Sequence, residues 1–309
     1  MSTRLFFERA RRSVGGRGGV VGASGMPPAV EGRPDDYRLT TSTLLEDPTL
    51  TVRPVGPPDP CLEPIAFLDG TQRYEVIGYL ETMPVVAAIL SAAVRLRSGG
   101  EFKTVERTER RVLVGRREAL AAVGNAVLGT EQLVVEGDER LHPLKELENA
   151  RRAIDAARGA LEHDVGARFR RTHQTWLVVD GVVSDAPIWA TDTRVIGVSK
   201  SHATLPFDGD ALTTYLTLPA GHRTSIFEPT TWRFAPVHSW ALRLWPFEGK
   251  DLLHGLVRVE VAARPVDPGL ADQLSRWLLA DRVPLSRPDP RWDRLLYGVA
   301  TVERHLRAQ

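Results

Sequence analysis

Apolar and polar positions follow two rhythms along this chain, and the rhythms separate strands from helices. The run Ile65–Leu68 closes on Asp69-Gly70 and predicts a buried strand stopped by a turn. Tyr74–Tyr79 alternates as the next strand of a meander, Val85–Val94 is a third apolar segment and Arg111–Val114 a fourth. A helix over Arg116–Leu128 and a strand over Gln132–Val135 follow. The strongest helical signal begins at Pro143, a residue suited to a first turn. Leu144, Leu147, Ala150, Ile154, Ala157, Leu161, Val165 and Phe169 then recur at spacings of three and four as one apolar stripe. Trp176–Val179 is a second apolar strand ending in Asp-Gly, at Asp180-Gly181. Val195–Val198, Arg223–Phe227, Ser239–Leu244 and Leu256–Ala262 are further strands, and helices over Gly269–Leu279 and Pro290–Leu306 close the chain. The mixture predicts an α/β fold, a mixed sheet flanked by helices. Residues 1–60 follow neither rhythm: arginines at 4, 9, 11, 12 and 17 precede a glycine-rich stretch, and prolines crowd 54–64. They read as a short helix, a linker and an irregular arm, with residues 61–309 as the folded domain.

Composition narrows the function classes. The 309 residues suffice for a full core, and 42% hydrophobic with 26% charged residues describe an ordinary globular protein. Forty Lys and Arg against 39 Asp and Glu leave a net charge of +1. That balance excludes holding nucleic acid by bulk charge, though not by a local basic groove. The lone Cys61 excludes a disulfide framework and a Cys-rich zinc site. The longest apolar run, Met83–Val94, is broken by Pro84 and Ser91 and falls short of the ~20 residues a membrane helix needs. With no secretory pattern at the N-terminus, the expected location is cytoplasmic.

Two carboxylates, Asp69 and Asp180, thus end two apolar strands, where α/β sheets build their sites. Either alone is equally an Asx-type turn. Chain geometry selects a third. The helix from Glu162 to Arg170 descends ~12 Å, and the strand from Trp176 to Asp180 climbs back ~13 Å, so Glu162 and Asp180 reach the same height. Glu148 would lie ~33 Å up the helix from Arg170, far past the strand end. Glu162 also sits at the edge of the apolar stripe, where pairing with Arg158 is the alternative role. Three hard oxygen donors suit Mg²⁺ or Mn²⁺ and the in-line hydrolysis of a phosphodiester. The chain has no GxxxxGK[ST] and no GxSxG, which removes an ATPase engine and an α/β-hydrolase.

These segments resemble the NurA nuclease family from about Pro64 to the C-terminus. FLDGT at 67–71, ARGALEHDVGARF at 157–169 and WLVVDG at 176–181 look like its acidic motifs. VIGVSKSHATL at 195–205, GHRTSIF at 221–227 and HGLVRVEV at 254–261 look like later segments. RLLYGVATVERHLR at 294–307 sets His305 eight residues after Tyr297, as in the family's C-terminal Tyr and His. The chain departs at Val182-Val183, where Ser-Leu is usual, and at Gly298, where Pro follows the tyrosine. The resemblance implies an RNase H-like core and a manganese-dependent nuclease for single-stranded DNA and duplex ends, working 5′→3′. It implies a homodimer that processes DNA ends with HerA, a hexameric DNA-translocating ATPase. It makes Asp69, Glu162 and Asp180 metal ligands, and Tyr297 and His305 site residues. Lys200 is a candidate for holding a phosphate oxygen or the leaving group. Arg223 and Arg258 are candidates for phosphate contacts, with an Arg258–Glu260 pair as the alternative. Trp232, Trp240 and Trp245 are stacking candidates or core residues. The competing function is a non-catalytic DNA-binding adaptor subunit.

Overall fold

The computed structural model describes residues 3–14, 18, 20–22, 37–98, 101–124, 127, 129–137, 142–231, 234–282 and 296–307. Its principal elements are helix α1 (Thr3–Val14), strands β1 (Ile65–Leu80), β2 (Met83–Ser98) and β3 (Glu101–Gly115), and the long helix α2 (Pro143–Thr172). Strands β4 (Trp176–Asp180), β5 (Val195–Ser199), β6 (Val237–Arg243) and β7 (Leu256–Ala262) follow, then helices α3 (Pro268–Ala280) and α4 (Tyr297–Arg307).

One large mixed sheet runs in the order β6-β7-β5-β4-β1-β2-β3 and is extended at both edges by short strands. The meander β1-β2-β3 is antiparallel, β4 lies parallel to β1, β5 parallel to β4, and β7 antiparallel to β5. The pleat sorts the core into two layers. Ile65, Phe67, Val178, Ile196 and Val198 face α3 and α4 through Leu274, Trp277, Val299 and Val302. Ala66, Leu68, Leu177 and Val179 face α2 through Ile154, Leu161, Val165 and Phe169.

Several expectations need correction. The chain does not turn at Asp69-Gly70: β1 continues to Leu80, because Asp69, Gly70 and Thr71 keep pairing with Ala93, Ala92 and Ser91 of β2. Tyr74–Tyr79 is therefore the far half of the same strand. The segment Arg223–Phe227 is two short strands, His222–Thr224 and Phe227–Pro229. The short helix expected near the N-terminus spans residues 3–14, and α1 buries Phe6, Phe7, Ala10 and Val14 against Ile77, Val85 and Leu113. Residues 42–44 and 52–54 also enter the sheet, through Phe227–Pro229 and His222–Thr224. The last helix begins at Tyr297, and 290–295 lie outside the described residues.

Candidate active site

Strand β4 pairs with β1 only from Ile65↔Trp176 to Leu68↔Val179. The next residue on each strand is an aspartate, so Asp69 and Asp180 stand side by side where the parallel pair ends. By the pleat both point to the face of Phe67 and Val178. Glu162 arrives from the opposite face, on α2. It fits because position 70 is glycine: a Cβ there would lie within 3.0 Å of the Glu162 carboxyl carbon. The Gly70 amide donates to Asp69 Oδ1 at 2.8 Å and also favours the charged form of Glu162, so two carboxylates converge on one peptide N–H.

The electrostatics record the crowding. Burial holds the Asp69 carboxyl well above the usual aspartate range, Asp180, Glu162 and Glu303 add to the rise, and Lys200 opposes it. Burial likewise pushes Glu162 up to about 7, with Asp180 adding and Arg158 opposing. Two cations answer the excess negative charge. Lys200, just past the end of β5, places Nζ 2.6 Å from Asp180 Oδ2, and Arg158 pairs with Glu162 one helical turn away. The turn after Asp180 is fixed by Glu260, whose Oε2 accepts from the Val183 amide at 3.0 Å and the Ser184 amide at 3.4 Å.

No family model and no curated protein matches the chain. Among solved structures, the chain is similar to the NurA nuclease from Sulfolobus solfataricus. The identity is 10% and the TM-score 0.48, over 86% of this chain and 81% of that one.

The remaining sequence candidates separate around this centre. Arg223 is fully buried, its Nε 2.6 Å from Asp272 Oδ1 and its Nη1 2.7 Å from Glu46 Oε2, so it is committed to the interior. Arg258 pairs with Glu260 at 3.1 Å on the sheet face opposite Asp180. His305 sits 3.3 Å from Thr104 Oγ1 over β3, and burial together with Arg95 and Arg107 lowers its pKa. The Tyr297 side chain and Trp232 lie outside the described residues. Trp240 donates to Ser275 Oγ in the core, and Trp245 packs against the Arg282 guanidinium. Glu148 is held by Lys145 and Arg152, away from Glu162 on the helix.

Reading by sequence missed Glu303. It lies on α4 close enough to raise Asp69, and with Gly70, Arg73, Arg158 and Arg307 it lines a cavity of ≈ 520 Å³. Its only sequence signal is Arg307 four residues on, which reads as a surface ion pair. Gly298 also acquires a reason, since a Cβ there would collide with the Phe67 ring. A proline would collide in the same way, so the family's Tyr-Pro does not suit this packing.

Hard oxygen donors in excess over nearby cations are what a divalent ion selects. Asp69, Glu162 and Asp180 meet that chemical requirement. Among the described residues no group of three His, Cys, Asp or Glu side chains is placed to hold a metal ion, and Lys200 and Arg158 pair with two of these carboxylates. Among the described residues, no helix is long and apolar enough to cross a membrane.

Proposed function

We propose that the chain is a Mn²⁺- or Mg²⁺-dependent deoxyribonuclease of the NurA type, acting on single-stranded DNA and duplex ends. The observation that carries this reading is that Asp69, Glu162 and Asp180, from three separate elements, lie near enough to act on one another's charge, with the first two carboxyls pushed upward by burial and by their neighbours. The strand order β3-β2-β1-β4-β5, three antiparallel strands continued by parallel ones, supports an RNase H-like core. The motif order from FLDGT to the C-terminal helix supports the same family.

In this reading Asp69, Glu162 and Asp180 hold the ion. A bound divalent cation supplies Lewis-acid polarisation of the phosphoryl group and a more acidic water. Asp69 is the fixed ligand, held in the β-ladder. Lys200, paired with Asp180 here, would be the residue to contact a non-bridging phosphate oxygen or the leaving group. Arg158, paired with Glu162, would balance the charge of that carboxylate. Glu260 acts on Asp180 only through the turn it caps. We further propose, from the family resemblance, a homodimer that processes DNA ends with a HerA-type translocase, in the 5′→3′ direction.

The pairing of Lys200 with Asp180 and of Arg158 with Glu162 favours one second reading, an adaptor subunit whose acids have become structural. Digestion of labelled single-stranded DNA with Mn²⁺, with and without a HerA-type motor, separates the two. Wild type should cleave and Asp69→Ala should lose at least about a hundredfold, the scale of a group that stabilises the transition state. Cleavage by Asp69→Ala at the wild-type rate would overturn the site, and an inert wild type would leave the adaptor.

A further inference from the structure

A second cavity, ≈ 650 Å³, is lined by Lys200. Its walls are two segments far apart in sequence, 37–39 and 200–205, with Leu253 below. A short parallel ladder ties them together, Thr204 to Arg38 and Leu205 to Leu39. The Arg38 amide donates to the Ala203 carbonyl at 2.9 Å and the Thr40 amide to the Leu205 carbonyl at 2.9 Å. The Arg38 guanidinium reaches Thr204 Oγ1 at 3.2 Å. The groove is therefore built rather than incidental.

Three of its properties point to one occupant. Arg38 and Lys200 line it and, among the described residues, no carboxylate does, whereas the 520 Å³ cavity balances its arginines against Glu109, Asp155 and Glu303. Tyr37 is 70% exposed and Leu39 54%, an aromatic ring and an aliphatic side chain open to solvent. Lys200 joins the groove directly to Asp180, 2.6 Å from its Nζ. Cations spaced along an open aromatic surface are how proteins hold an unpaired nucleic-acid strand, with phosphates on the cations and a base on the ring. A duplex offers no free base face to Tyr37.

We propose that this groove is the subsite for the single strand flanking the scissile phosphate: Tyr37 stacks on a base, and Arg38 takes a phosphate on the side of the centre marked by Lys200. The assignment rests on the nuclease reading and adds to it the path of the strand. It also gives the N-terminal segment a role in the site that its distance in sequence conceals.

The test uses the full chain in EDTA, with fluorescein-labelled oligothymidylate followed by anisotropy. Tyr37→Ala should weaken binding roughly tenfold or more and Tyr37→Phe by less than about twofold, since stacking needs the ring and not the hydroxyl. Arg38→Ala should weaken binding and lower the salt dependence by about one counterion. An oligonucleotide carrying 5-iododeoxyuridine should photo-crosslink to Tyr37. Equal binding by wild type, Tyr37→Ala and Arg38→Ala, with crosslinks elsewhere, would overturn the groove. Cleavage by wild type in Mn²⁺ alongside that result removes the groove alone. Loss of both binding and cleavage in wild type removes the nuclease reading with it.

Discussion

Gly70 lacks a side chain because the Glu162 carboxyl fills that space, and this close approach brings a helix residue to a strand residue. Gly70→Ala should therefore displace Glu162, lower thermal stability and reduce cleavage by tenfold or more on the order expected for a ligand moved by about an ångström. Unchanged melting and unchanged cleavage would show that Glu162 has no fixed place. At this scale the sequence was informative where chemistry is local. Asp69 and Asp180 stand out because an acid followed by glycine closes each apolar run, and counting residues up one element and down the next levels Glu162 with Asp180. Partners distant in sequence were not legible. Arg223 looks like any strand arginine until Glu46 and Asp272 close around it, and Glu303 hides behind its spacing to Arg307.

Elements were legible in kind more than in length. The apolar stripe of α2 and the strands Trp176–Asp180 and Leu256–Ala262 emerge close to the bounds their patterns suggest, since each packs the face its pattern marks, apart from the exposed Leu144 at the helix start. β1 runs twelve residues past Leu68, because its continuation is half polar and looks like a turn followed by a new strand. Ladder pairing with β2 overrides that local signal. Helix α1 is legible as a short helix but its packing is not, because five arginines dominate residues 1–17 while its apolar face is only four residues, Phe6, Phe7, Ala10 and Val14. Phe6→Ala should cost about 3–5 kcal/mol in chemical denaturation if that face is core. A cost under about 0.5 kcal/mol, the size of a surface change, would return the helix to the solvent.

For the whole molecule, the near-neutral charge conceals a local excess of acid, and proton linkage makes the excess measurable. Glu162 has a carboxyl raised from an ordinary 4.5 to about 7. Between those values the folded state binds more protons than the unfolded, so its contribution is fully present below pH 4.5 and is lost as pH rises through 7. Relative to Glu162→Gln, wild type should lose up to about 3 kcal/mol between pH 4.5 and 8, and Mn²⁺ at pH 8 should restore it by binding only the folded state. A stability difference that stays flat across this range, or an equal Mn²⁺ effect in Asp69→Asn, would contradict the cluster. The continuation of β1 through Asp69 has a further mechanical consequence. Asp69 is carried inside a ladder, whereas Asp180 is the last residue of its strand and Lys200 the first beyond its own. In the nuclease reading, fitting a larger ion or a bent strand would therefore fall to the strand-end pair Asp180 and Lys200, while Asp69 would keep the alignment.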